Sequence, residues 1–404
     1  MTSLSKLEAH GIPVSSIGNG LLETKLVVHS ADQLRSLLDL GLDEEGRAAH
    51  HAALFDGVTP AASAEATTAG DGGASIASRL TAHVVGNSKL TEADKAVTAA
   101  AFPMVAHVSV APGPLTINSK YDLSTPDGSL RIAVFTDVTI EQGGYFVCQS
   151  TPLNFTCDTL TRSGNSGGSW ADFNILGTQG ATPATPATPG TASQAASGEP
   201  GECSSAGIAG HGGGKGNTGA TGTQGTDGTH GNPGIPSMPA TITIQQTLTA
   251  PNRLTIFTRS GPGGLGGNGG QGGQGQQGGN GGNGVTCDCT GNAGGPGGDG
   301  GIGGQGGRAG DGGNGVDAGG NIVVRVPRQQ DVGRVDPSSS PAAPGNPGTP
   351  GPGGAGGAGG NGSSGGKNNS GGGGGGTANP GGSGGQGTAG TIAGKAAQIT
   401  VMPL

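Results

Sequence analysis

The chain has 404 residues, of which 92 are Gly and 26 are Pro, with 31% hydrophobic and 2% aromatic content. An ordinary domain is about 7% Gly and about 45–50% apolar, so these values exclude one conventional core running the whole length. A formal charge of −8 without a basic cluster, and no aromatics beyond the phenylalanines except Trp170, Tyr121 and Tyr145, argue against a nucleic-acid partner.

No apolar run reaches the roughly 18 residues of a membrane-spanning segment. The opening MTSLSKLEAHGIPVSS lacks the charged-then-apolar pattern of a secretory signal, which leaves prior removal, another export route or carriage on a particle. Residues 1–104 read as a small α-helical attachment or assembly region, with a cap on the downstream strands as the plainer alternative. Ser30-Ala31-Asp32-Gln33 is a capping-box pattern ahead of Leu34, Leu37 and Leu38, and Thr91-Glu92-Ala93-Asp94 is a second. An Ala/Thr/Gly stretch at 59–75 interrupts the region. His50-His51 is expected on an exposed helical face.

Residues 105–180 change to short β-prone runs: VAHVSV, PLTINS, SLRIAVF, DVTIEQ, YFVCQS, NFTCDTLT and FNIL, alternating apolar with polar residues between turn formers. Sandwich and β-solenoid both fit, and the reading leans to a solenoid-like stack. Residues 181–206, including ATPATPATPG, are a Pro/Thr/Ala-rich spacer, extended and exposed.

From 207 the glycines keep phase. Every third residue from Gly207 to Gly234 is Gly, and Gly263 to Gly284 holds the same period with a second glycine phase from Gly264, broken only at Gln276. Similar blocks run about 295–313, 345–360 and 372–390, the last with Ala378 out of line, and strands centred on Ile242, Ile256, Val324 and Thr400 lie between or beside them. Collagen gains nothing from a second glycine face, and a linker has no reason to hold phase. A polyglycine II bundle accounts for both: such a helix has no internal hydrogen bonds, so its amides need a neighbouring backbone, which only faces without Cβ atoms admit. One bare face places 207–234 at an edge, and two place 263–284 and 295–313 between neighbours.

The expected fold class is therefore mainly β plus polyglycine II helices: the α-helical N-terminal region, β-solenoid-like strands and, over 207–404, a glycine-rich helical bundle with interleaved strands. The runs GGNGGQGG and GGPGGDGGIGGQGG resemble those of polyglycine II bundle proteins, namely tail-fibre tip adhesins of T-even-like phages, springtail antifreeze proteins and glycine-rich domains of mycobacterial surface proteins. The likeness is one of repeat type over about half the chain. It implies a fold for 207–390 and carries over no functional residue.

No catalytic, cofactor-binding or metal residue is assigned. G-x-G-x-x-G recurs without the strand, helix and acid that give it meaning, and Lys215, Lys367 and Lys395 fail the phosphate-loop pattern. Gly312 to Asp317 begins a calcium-binding nonapeptide that Gly319 breaks, leaving Asp299, Asp311 and Asp317 as surface acids. Asp122, Asp127, Asp137, Glu141 and Asp158, with Arg131 or Arg162, would serve a polysaccharide-cleaving enzyme only if they converged. Thr223, Thr226 and Thr229 form a row that suits ice or glycan contact. Cys148 and Cys157 can bridge if they lie on neighbouring strands, and Cys203 can reach Cys287 or Cys289; unpaired buried thiols are the alternative.

The leading expectation is a non-enzymatic structural protein, exposed outside the cell or on a particle, forming a homo-oligomer or filament through sheet edges and glycine faces. The alternative is a receptor- or glycan-binding adhesin with contacts at loop tips such as Thr286 to Thr290 and Gly362 to Ser370. A polysaccharide-active enzyme and an ice-binding protein rank below both.

Overall fold

The computed structural model describes residues 3–58, 76–164, 170–190 and 192–404. The Ala/Thr/Gly stretch at 59–75 lies outside the described residues.

Helices α1 (Ser3–Ala9), α2 (Ala31–Leu37), α3 (Glu44–Phe55), α4 (Ile76–Val84) and α5 (Glu92–Thr98) surround strand β1 (Leu22–Val28), which the sequence reading missed. Both proposed caps form: Ser30 accepts from the Gln33 amide, and Thr91 and Asp94 close a full capping box. Then come β2 (Met104–Ile117), β3 (Lys120–Asp122), β4 (Arg131–Ile140), β5 (Tyr145–Gln149), β6 (Leu153–Arg162), β7 (Phe173–Leu176), β8 (Ala240–Thr249), β9 (Leu254–Arg259), β10 (Ile322–Val326), β11 (Val335–Ser340) and β12 (Ile399–Pro403).

The strands form a seven-stranded sheet, β1-β2-β4-β6-β8-β10-β12, and a five-stranded sheet, β11-β9-β7-β5-β3. Among these strands only β1 pairs antiparallel, with β2; the other strand pairings are parallel. The chain crosses from the larger sheet to the smaller by short links and adds a strand to each sheet in turn. Between the sheets lies the main core, where Phe146 packs on Phe173 at 4.7 Å and on Phe155 at 5.3 Å, with Phe135, Ile140, Leu160, Ile242 and Ile256 around them. Branched and aromatic residues such as these fit the buried face of a pleated sheet.

The helices cover the other face of the larger sheet, packing Leu7, Leu34 and Leu37 against Val108, Val110, Ile132 and Val134. Asn321, just before β10, donates from its side chain to the carbonyls of Ala53 and Asp56 and so satisfies the end of α3. The smaller sheet leaves its outer face open at Lys120, Gln149 and Arg259.

Among the described residues, twelve strands in two sheets with a few helices make this an α/β fold. That overturns the expected class of mainly β plus polyglycine II helices with solenoid-like strands and a glycine-rich helical bundle. The cores lie in the strands and the helical layer, where the apolar side chains are concentrated. Counting glycines overstated what the glycine-rich half contributes to the fold class.

His50 corrects a second expectation. It is buried at 3% exposure on α3, with Nδ1 accepting from Arg325 Nε at 3.4 Å and Nε2 facing Thr241 Oγ1 at 3.3 Å. Arg325 can only donate, so Nδ1 is the acceptor and Nε2 carries the proton. Burial, then the charges of Arg325, Arg47 and His51, push the His50 pKa down to about 3. The unfolded chain therefore binds a proton, near pH 6.5, that the folded chain refuses until about 3. Stability from this site is complete above about pH 6.5 and falls as pH drops toward 3. Denaturation midpoints across that window should show up to one proton of dependence that His50→Gln removes; an unchanged slope refutes the assignment.

Candidate assembly face

Three return connections leave the sheets and come back as pairs of extended legs. Leg 1 (178–190 and 192–201) and leg 2 (210–234) join β7 to β8, leg 3 (261–284) and leg 4 (291–317) join β9 to β10, and leg 5 (342–366) and leg 6 (371–394) join β11 to β12. Within the legs the regular hydrogen bonds run sideways and recur at every third residue. Gly272 donates to Pro352 O at 2.9 Å, Gly273 to Thr223 O at 2.7 Å and Gly304 to Gly273 O at 2.8 Å, with the same partners' neighbours repeating the pattern along each leg. Outgoing legs bond parallel to one another, as do returning legs, and each outgoing leg is antiparallel to the returning ones.

Legs 3 and 4 each bond to four others. This explains why these legs carry glycine at two positions of three: a Cβ on Gly272 would sit 2.0 Å from Gly304 O, and one on Gly300 2.0 Å from Gly357 O. The third position uses its side chain as an acceptor for the next leg. Asn268 Oδ1 accepts from Thr349 N at 3.0 Å, Asp299 Oδ1 from Gly376 N at 2.8 Å, Asp311 Oδ1 from Thr388 N at 2.7 Å and Asp317 Oδ1 from Lys395 N at 2.7 Å. The Gly376 amide, with Lys215, holds the Asp299 carboxyl below its usual range, as the Thr388 amide does for Asp311. Asp299, Asp311 and Asp317 are thus amide acceptors, and among the described residues no cluster of three metal-ligating side chains occurs.

The two ends of this stack differ. At the first end β1 alternates exposed Glu23 and Lys25 with half-buried residues, β3 is three residues long, and leg 1 carries Pro183, Pro186 and Pro189, which have no amide to offer. At the last end, among the described residues, β12 pairs only with β10 and β11 only with β9, leaving two sheet edges open. Leg 6 bonds to legs 4 and 5 and presents bare backbone beyond them: a Cβ on Gly373 or Gly382 would meet nothing within 4 Å, and one on Gly374 or Gly385 nothing nearer than 3.7 Å. Sequence reading saw this block, but which of its glycine faces lacks a neighbour depends on the order of the legs.

The other residues singled out do not converge. Asp122 pairs with Lys120 at 2.7 Å, and Asp127 accepts from Ser129 in a turn. Arg131 is engaged by Ser109 and the carbonyls of Leu123 and Ser124, and Arg162 is buried against Asp172. Asp137 and Asp158 lie on adjacent strands, where burial and then the Asp137 charge raise the Asp158 pKa. Glu141 supplies a carbonyl to Arg162. Thr223, Thr226 and Thr229 are exposed while their carbonyls bond leg 3.

Cys203 and Cys287 form a disulfide between the tips of two leg pairs, and Cys289 is free and exposed beside it. Cys148 and Cys157 face the core unpaired, on strands of opposite sheets, and burial pushes the Cys148 thiol up to about 12. No helix among the described residues is long and apolar enough to cross a membrane. The chain matches no protein-family model, no curated protein and no solved structure.

Proposed function

We propose that this chain is a non-enzymatic structural protein, exposed outside the cell or on a particle, which assembles with copies of itself through its last end. One observation carries the reading: leg 6 keeps glycine at Gly373, Gly374, Gly382 and Gly385, where its own fold would accept a side chain. Bare backbone is required at legs 3 and 4 because another backbone lies against them. A second copy laid on leg 6, with its strands on the open edges of β11 and β12, gives the same requirement there. Contact of last end with first end repeats into a fibre, whereas last end on last end closes at a dimer.

Electron microscopy and sedimentation of the purified protein separate these outcomes. Fibres support repeating contact, dimers support the face without the fibre, and monomers at high concentration refute both. The double substitution Gly373→Ala/Gly382→Ala should weaken association at least tenfold while leaving the melting temperature of the single chain within a few degrees. A glycan-binding role is a second reading, favoured by a different observation: Tyr145 and Trp170 stack in the open on the outer face of the five-stranded sheet.

A further inference from the structure

A groove of about 300 Å³ runs across that outer face. Strand alternation builds it. Phe146 and Cys148 of β5 point into the core, so Tyr145, Val147 and Gln149 point out. Register then places Lys120 beside Tyr145, and Gln149, Leu176 and Arg259 in one line across β5, β7 and β9. Val147 and Leu176 are buried as its floor, and Trp170, from the β6–β7 connection, forms its wall with Tyr145, their rings 5.3 Å apart and within 2° of parallel. Tyr145 covers one face of the indole, yet Trp170 remains 48% exposed.

The charge is equally uneven. The chain carries −8 overall, but the groove is lined by Lys120 and Arg259 with no carboxylate among its lining residues. Lys120 has Asp122 as a partner at 2.7 Å, whereas no hydrogen bond or ion pair to the Arg259 side chain occurs among the described residues. An exposed flat ring suits the C–H face of a pyranose, exposed amides at Gln149 and Gln179 suit hydroxyls, and a free guanidinium suits a carboxylate or sulfate held bidentately. A nucleic-acid strand would need a continuing row of stacked aromatics and a basic track, which a single stack with two cations does not provide.

We infer that the groove between Trp170 and Arg259 binds an anionic saccharide, one ring stacked on Trp170 and its acidic group on Arg259. This rests on the glycan-binding reading and is independent of assembly. Trp170 is the sole tryptophan, so its fluorescence reports this groove alone. The full chain is titrated with an oligogalacturonate, with a sulfated heparin-type oligosaccharide, with a neutral cello-oligosaccharide and with a single-stranded oligonucleotide.

A saturable change with the carboxylated or the sulfated probe is expected, and which of them binds more tightly identifies the acidic group. Trp170→Ala and Arg259→Ala, checked for an unchanged melting temperature, should each weaken binding at least tenfold by calorimetry. Arg259→Lys should recover part of the loss, because it keeps the charge and loses the fork. Equal, Trp170-dependent binding of the neutral probe overturns the acidic class while keeping glycan binding. Absence of saturation with all three sugars, or tighter binding of the oligonucleotide, overturns both.

Discussion

Arg162→Met is expected to destabilise the chain by about 3–5 kcal/mol, the usual loss when one partner of a buried ion pair is removed. Arg162 and Asp172 are each about 1% exposed, and Arg162 Nε lies 2.6 Å from Asp172 Oδ1. The arginine also donates to the carbonyls of Ile140, Glu141 and Ser163, and Asp172 accepts from both the amide and the hydroxyl of Thr255 at 2.9 Å. Arg162 closes β6 in the larger sheet, while Asp172 and Thr255 stand at β7 and β9 in the smaller one, so the pair ties the two sheets together at one end of the core. Removing the guanidinium leaves a carboxylate out of water with two weak donors. Arg162→Met/Asp172→Asn should recover more than half of the loss, since the stranded charge is then gone. Denaturant midpoints of the two variants test this; a single-variant loss under about 1 kcal/mol defeats the argument.

Sequence reasoning assigned this same arginine to a hypothetical acidic cluster and missed Asp172 altogether. The reason is physical. Arg162 and Asp172 come together only once β6 and β7 lie in different sheets, and alternation within a strand carries no information about which sheet it joins. Local signals fared better: the caps at Ser30 and Thr91 are short-range hydrogen bonds, and runs such as SLRIAVF and NFTCDTLT are strands at nearly the expected positions. β11, VDPSSS, was invisible because it has one buried apolar residue and a proline, and its strand geometry comes from pairing with β9.

The fold class went wrong through weighting. Glycine period dominates the composition, whereas the two hydrophobic cores and the helical layer decide the class. The groove was equally illegible: Tyr145 and Trp170 are 25 positions apart in the sequence and meet because one opens β5 and the other stands in the connection before β7. Scarcity of aromatics gave no sign that two of them stack. The open face of leg 6 needed the leg order, which no periodicity contains.

Gly301→Ala should destabilise the chain by about 3 kcal/mol or more, and Gly382→Ala by nothing measurable, although both sit in glycine-rich legs with extended backbone. Gly301 donates to Gln276 O and accepts from Gly357 N, both at 2.8 Å, so three legs meet at its backbone. A Cβ there would lie 1.9 Å from the carbonyl oxygen of Ala220, which belongs to a fourth. The obstacle is main chain held by its own hydrogen bonds, so no side-chain rotation relieves it. The legs must part by more than an ångström, and each sideways bond then lost without a replacement costs about 1–3 kcal/mol where water cannot reach it. At Gly382 the added methyl meets nothing within 4 Å, and restricting the unfolded chain offers a gain of about 0.4–1 kcal/mol. Thermal melts of the two variants at concentrations where the protein is monomeric make the comparison. A small effect at Gly301 would mean that the legs do not hold each other by close backbone contact, and the reading of leg 6 as an unfilled place for another backbone would lose its basis.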